Sequence, residues 1–463
     1  MFFLLNNFTV LFERTMFGIQ EHETVLSPWV QGLISMNLEI NLEKTMKLKQ
    51  HAVALGCLAA LGLAGTAQAF EVSGNLLEVY GTLYPEYNKT SYTDAVAGSA
   101  LSTMNAGLVA PGVSKAATKI SKDQINWSQS YIGVKGIKAF GDVTVGYDFQ
   151  GVMAPNKTLD SSIATNSQQP LFGDTRDAFV SIAHKNVGTF QFGQMDTIYK
   201  EYGDRIRMLG VSSSNFTSTS GVLSGVGWKG ATGAGTTSFN TRVGNQIRWE
   251  SPVFSGFQAG LSYRPDPNRT AGQDQSLTAM ALRWSQDAFY AAVQREVHND
   301  YHSFSGTALT ALAAANVYNL GTARSKDTAT RATVGYKNGP LQLAADFARL
   351  EFTEEASATG KFSGYTTNTW QVSTDYAVNA DWNLAANYAS NGAGSCTLLG
   401  GAACSTTGQG GTLLSLGAKY NYDKNIGIFA MYGLNKSNAS ASFASSNTGG
   451  NTTNLGVGVL IKF

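Results

Sequence analysis

Three cysteines, five histidines and nine prolines in 463 residues leave little material for a disulfide scaffold, a metal centre or a proline-rich linker. Charge is scarce as well: Asp, Glu, Lys and Arg make up 14% of the chain, against about 25% in ordinary soluble domains. The most telling absence is of long apolar runs. After residue 69 no stretch of about 18 apolar residues occurs, so no helix there can span a bilayer. With 33 bases against 32 acids, the basic surplus that a nucleic-acid partner requires is missing too. What is present is 50 glycines, 11% aromatics and a mean hydropathy of −0.10, with apolar residues spread thinly and evenly. A transmembrane β-barrel has this composition, because each strand gives alternate residues to lipid and to water.

Residues 1–45 do not read as the start of a mature protein and are assigned as leader upstream of a true start at Met46. Met46-Lys47-Leu48-Lys49-Gln50-His51, the apolar Ala52 to Ala64 and the closing Ala67-Gln68-Ala69 form the basic head, apolar core and A-x-A site of a secretory signal peptide. Residues 46–69 are therefore expected to be removed, and sequencing of the mature protein to begin at Phe70. A lipid anchor on Cys57 competes with this reading, although Ala54-Leu55-Gly56 is a poor context for one. Residues 70–463 then form a single domain. Residues 1–69 carry four bases and five acids, so the domain keeps 29 and 27. Its two cysteines, Cys396 and Cys404, share a Gly/Ser/Thr-rich stretch and are expected to form one disulfide, as suits an oxidising compartment.

The C-terminal stretch shows the period of two most clearly. Leu455, Val457, Val459, Ile461 and Phe463 alternate with Asn454, Gly456, Gly458 and Lys462, and the chain stops on an aromatic. A first strand follows the same rule over 77–83, then a long polar stretch runs to about Ile125. Seven pairs of alternating runs come next, each joined by a short connection: 139–142, 186–188, 251–255, 286–287, 338–340, 379–381 and 424–425. These connections carry Asn, Asp, Gly or Pro, the residues that tight turns demand. The count is about sixteen antiparallel strands. Short turns alternate strictly with long loops, as in a membrane barrel with turns on the periplasmic side and loops outside. Phe190, Trp249, Phe257, Trp284, Phe289, Tyr336, Trp382, Tyr422 and Phe463 lie near the short turns on the apolar parity and read as one interfacial girdle, with Phe463 as membrane anchor. A soluble all-β core would scatter its aromatics along the strands.

An enzyme is not expected. The three histidines after residue 69, His184, His298 and His302, fall at a short turn or in one loop region, away from any ordered nucleophile and acid. The glycine-rich 221–235 has no following Lys-Ser/Thr helix to cradle phosphate. No cofactor and no metal are expected.

Tyr131-Ile132-Gly133-Val134-Lys135-Gly136, Asn186-Val187-Gly188-Thr189-Phe190-Gln191-Phe192-Gly193-Gln194, the stretch from Asn245 to Tyr263 and the terminal Phe463 resemble the trimeric general porins of Gram-negative outer membranes, most closely the beta-proteobacterial branch. The resemblance covers the whole mature chain. It implies an outer-membrane homotrimer, in contact with lipid and lipopolysaccharide, that passes small hydrophilic solutes and has no nucleic-acid partner. It also implies a third loop folded into the pore, which falls on Met195 to Thr241. In that family loop acids face a ladder of arginines, so Glu201, Asp204, Arg205 and Arg207 on the loop and Arg176 and Arg242 on the wall are the expected constriction. Tyr131 and Thr82 occupy two further ladder positions, where the family carries bases. Strand parity turns Lys135, Arg248, Arg264, Arg283, Arg331, Lys337 and Lys419 to the lumen against Glu78, Asp148, Glu250, Glu296, Asp346 and Asp375, and leaves Leu83, Ile132, Val134, Phe179, Phe190 and Phe192 outside for the neighbours in a trimer. A substrate-selective channel of the same fold, or a barrel whose loops bind surfaces, are the competing functions.

Overall fold

The computed structural model describes residues 70–72, 76–92, 120–127, 130–153, 172–206, 208–210, 239–301, 324–355, 362–401, 406–407, 410–438 and 451–463. The leader, the signal peptide, Arg207 and Cys404 lie outside them. Sixteen antiparallel strands close into a barrel. They are β1 (Leu77–Leu83 and, past Pro85, Glu86–Tyr92), β2 (Ile120–Asn126 continued by Tyr131–Phe140), β3 (Val143–Met153), β4 (Phe172–His184), β5 (Gly188–Asp196), β6 (Arg242–Glu250), β7 (Phe257–Arg264) and β8 (Leu277–Gln286). The second half comprises β9 (Phe289–Asn299), β10 (Ser325–Asn338), β11 (Leu341–Glu354), β12 (Phe362–Ala377), β13 (Trp382–Asn391, extended by Ser395–Leu398), β14 (Gly411–Asn421), β15 (Ile426–Ser437) and β16 (Asn451–Lys462). Each strand pairs with its neighbour in sequence. Closure comes from β16 on β1, with Leu83 opposite Ile461 and Tyr87 opposite Val457.

The alternation works as the pleat requires. In β10, Ala329, Arg331 and Thr333 are buried toward the inside, while Val334 is 56% exposed on the outside. The tight turns use residues suited to left-handed backbone, Gly141 at φ 62° and Asp287 at φ 52°. Girdle rings pair across adjacent strands at the short-turn end: Phe190 with Trp249, Phe257 with Trp284, Phe289 with Tyr336, and Trp382 with Tyr420. Among the described residues no helix is long and apolar enough to cross a membrane; the strands do the crossing.

Two expectations need correction. The polar stretch before Ile125 contains two strand segments, Glu86–Tyr92 and Ile120–Asn126, paired with each other. Their sequences, EYNKTSY and ISKDQIN, are polar on both faces and give no alternation signal. Phe179 does not face outward. It stands opposite Asp148, whose carboxylate takes a hydrogen bond from Tyr80 inside the barrel, and its neighbours Val180 and Ile182 are the exposed ones. The cause is a bulge: between Phe149–Ala178 and Gly151–Thr175 the register shifts by one residue, so simple counting along β4 misassigns the face.

Candidate functional site: the constriction loop and the opposing wall

The chain leaves β5 at Asp196 and turns into the lumen. A six-residue helix, α1 (Ile198–Gly203), follows at once, with Ile198, Tyr199 and Tyr202 buried. Six residues are too few to be helical alone, so docking holds them. The Ile198 amide donates to Ser262 Oγ at 2.9 Å, and Thr197 Oγ1 donates to the buried Glu296 at 2.5 Å. Glu296 also meets His298 Nε2 at 3.0 Å. The receiving wall is made of small residues: Ala279 and Ala281 of β8, Ala292 of β9, Ala329 of β10 and Ala348 of β11 form one apolar cluster with the helix. At Gly260 of β7 a Cβ would lie 2.3 Å from Ile198, so only glycine admits the helix there. Burial keeps the phenols of Tyr199 and Tyr202 well above the ordinary tyrosine range.

Arg331 of β10 fastens both arms of the loop. Its guanidinium is fully buried, lies 2.7 Å from Asp346, donates to Asn240 Oδ1 at 2.8 Å and stands 3.4 Å from Asp204. Asp204 follows α1 directly and Asn240 lies two residues before β6 begins at Arg242, so one side chain ties the outgoing and incoming arms to the wall. Gly203 gives it room: a Cβ there would sit 2.1 Å from Nη1. Burial pushes the Asp204 carboxyl above the usual carboxylate range, and Arg331 offsets only part of that. Further on, the Leu209 amide donates to Asp375 at 2.8 Å. Met208 and Leu209 pack with Tyr84, Phe429, Met431 and Leu460 inside the barrel, where Tyr84 stacks on Phe429 with centroids 4.6 Å apart.

The wall of β1 to β4 is polar and aromatic instead. Lys135 pairs with Glu78 at 3.1 Å and lies over the Tyr80 ring. Tyr80 donates to Asp148 at 2.5 Å and accepts from Gln150. Arg176 rests 4.8 Å from the centroid of Tyr131, and Thr82 is the register partner of Tyr131.

A closed sixteen-stranded barrel with its third long connection packed inside against one wall is a specific architecture. A family model described as Gram-negative porin matches residues 52–440. The chain belongs to the Gram-negative porins. This porin is therefore a multi-pass channel protein of the outer membrane. Among solved structures it is similar to the anion-selective porin from Comamonas acidovorans at 14% identity and TM-score 0.54, over 84% of this chain and 99% of that one. It is also similar to Salmonella typhi OmpF in complex with daunomycin, at 16% identity and TM-score 0.54 over 86% and 100%. A third is the outer-membrane expressed OmpT of Vibrio cholerae, at 14% and TM-score 0.53 over 86% and 100%. Such identities show a shared fold. No curated protein matches the sequence.

The porin brings together part of the expected constriction set. Arg176, Tyr131 and Thr82 lie side by side, and Arg176 reaches this face through the same bulge that turns Phe179 inward. Arg205 lies over the Tyr290 ring at 3.9 Å. Arg242 pairs with acids other than the expected Glu201 and Asp204. Arg242 binds Asp177 at 2.5 Å and Asp196 at 3.2 Å at the root of the loop, while Glu201 meets Arg248 at 3.7 Å and Asp204 meets Arg331. A second bulge explains the shift: Asn245 takes φ 55° where the register slips between Gly193 and Met195, so alternation along β6 fails before Arg242. Arg207 lies outside the described residues. Sequence reasoning missed Asn240, Asp177 and the clamp role of Arg331. The one available signal was the run of alanines on the lumen parity of β8 to β11, a bare patch on an otherwise polar face. Cys396, on the extension of β13, is disulfide-bonded; its expected partner Cys404 lies outside the described residues. Phe463 exchanges two backbone hydrogen bonds with Gly81, and its ring fills the space a Cβ at Gly81 would need.

Proposed function

We propose that this porin forms a water-filled channel for passive diffusion of small hydrophilic solutes and ions, with a weak preference for anions, and that it is not an enzyme. The observation that carries the anion preference is how the lumen charges are held. Glu296 and Asp346 are buried and hydrogen-bonded. Several cations instead rest on neutral partners and stay partly open to water: Arg205 on Tyr290, Arg264 on Tyr301, Arg283 on Gln258 and Tyr202. Buried acids contribute little to the field that a passing ion meets, whereas half-exposed cations contribute directly within a Debye length of about 8 Å. The solved neighbour described as anion-selective fits this reading. Reversal potential in a salt gradient across a planar bilayer measures it: a modest anion-selective potential is expected, and a clear cation preference overturns the assignment.

The same reading includes a homotrimer in contact with outer-membrane lipid and lipopolysaccharide. Ile132, Val134, Phe190 and Phe192 remain on the outward parity of β2 and β5, and Phe192 is exposed in the single chain. Cysteine placed at Ile132 should cross-link between chains under non-denaturing electrophoresis. Exclusively monomeric migration would contradict the trimer.

A further inference from the structure

Beneath the constriction loop lies a polar pocket of about 380 Å³, lined by Asp204, Arg205, Ile206 and Leu209 of the loop and by Gln342, Asp375, Asn383 and Lys419 of the wall. Its volume falls in the range of small-molecule sites, about 300–1,000 Å³. The wall residues project inward near the short-turn ends of β11 to β14, so the pocket lies in the lumen on that side of the loop.

The state of its polar groups is uneven. Both acids are engaged with the protein. Asp375 Oδ2 accepts the Leu209 amide and Oδ1 accepts from Asn383 at 3.2 Å. Asp204 faces Arg331 and the Asn240 carboxamide. Neither cation is tied up in a close ion pair among the described residues: Lys419 feels the Asp375 carboxylate across the pocket without a salt bridge to it, and Arg205 rests on the face of Tyr290. Gln342 makes no side-chain hydrogen bond. The pocket thus offers two cationic donors and a free carboxamide to a guest, and the Asp375 carboxylate on its wall discourages a second negative charge. Resting on the channel reading above, we infer that the pocket is a transit binding site for small monocarboxylates carrying a neighbouring hydroxyl, with the carboxylate on Lys419 and Arg205 and the hydroxyl on Gln342. A charge-assisted pair of this kind is stronger than a neutral hydrogen bond, yet the open lumen leaves the guest free to exit, as conduction requires.

Lactate is the probe, propane-1,2-diol its uncharged counterpart and malonate its doubly charged one. Saturation-transfer NMR on the full-length porin in detergent should show lactate binding that saturates, at least tenfold weaker binding of the diol, and weaker binding of malonate. Lys419→Met should weaken lactate binding at least tenfold. Arg295→Met, which removes an exposed cation on the outer face of β9, should leave it unchanged. In bilayers, lactate should lower single-channel current saturably in the wild type. Non-saturating lactate binding, tighter binding of malonate, or equal binding to Lys419→Met would each overturn the site. If Lys419→Met fails to assemble, the wild-type ranking of the three probes still decides. The NMR readout does not depend on conductance, so a barrel that binds lactate but carries no current would sink the channel reading and leave the site standing.

Discussion

Arg331 and Asp204 carry opposite consequences although they are partners. Arg331 is fully buried beside two carboxylates, so Arg331→Ala leaves Asp346 without its counter-charge and should cost about 3–5 kcal/mol, read as a lower unfolding temperature, and release both arms of the loop. Asp204 behaves differently because burial holds its carboxyl above the ordinary range. A carboxyl shifted upward favours the folded state fully below its free value, and that contribution is lost as pH rises through the raised value. At neutral pH the uncharged Asp204→Asn should therefore keep the loop docked and the unfolding temperature near wild type. A fall as large as that of Arg331→Ala would show that the ion pair outweighs burial. The sequence placed Arg331 on the lumen side through parity alone. Its reach to Asn240 was not legible, because parity gives a side chain's face and says nothing of what a distant loop returns to it. Phe179 and Arg242 were misplaced for a related reason: the bulges between Thr175 and Ala178 and at Asn245 add one residue each, and nothing in the local residue types announces them.

The third connection works as an element because its wall was made to receive it. Alanines on four successive strands and Gly260 clear a volume that Ile198, Tyr199 and Tyr202 fill. Gly260→Val would drive a side chain into Ile198 without touching a lumen charge. It should leave the barrel folded and its ion preference unchanged while raising single-channel conductance and current noise; unchanged conductance would mean that the root of the loop does not set the opening. The strands themselves were legible wherever one face meets lipid, since only there does the period of two appear. Glu86–Tyr92 and Ile120–Asn126 are polar on both faces, and hydrophobic alternation cannot report a strand of that kind. The existence of an inward loop was expected from family resemblance; its docking partners were not, since they depend on which wall the helix meets.

At the scale of the whole molecule, alternating short and long connections, the aromatic girdle and the closing strand were all readable, because each repeats around the barrel and local errors average out. Closure runs along β16 from Thr452 to Lys462 and finishes at Phe463, which exchanges backbone hydrogen bonds with Gly81 and covers it with its ring. Deleting Phe463 should reduce the amount of protein recovered in the outer membrane several-fold while leaving the conductance of inserted molecules close to wild type. Normal membrane levels of the shortened chain would argue that the seam closes without it.

That seam also sets the order of events in the life of the chain. Thr90 donates to Asn454 across 364 residues, so the contact that joins the sheet's two edges cannot form until β16 is available. Until then every intermediate carries two unpaired strand edges, the feature that invites one chain to pair with another, and loop-closure entropy makes so distant a pairing slow. The interval before the twelve-residue β16 docks is when the chain most needs to be kept apart from its own copies.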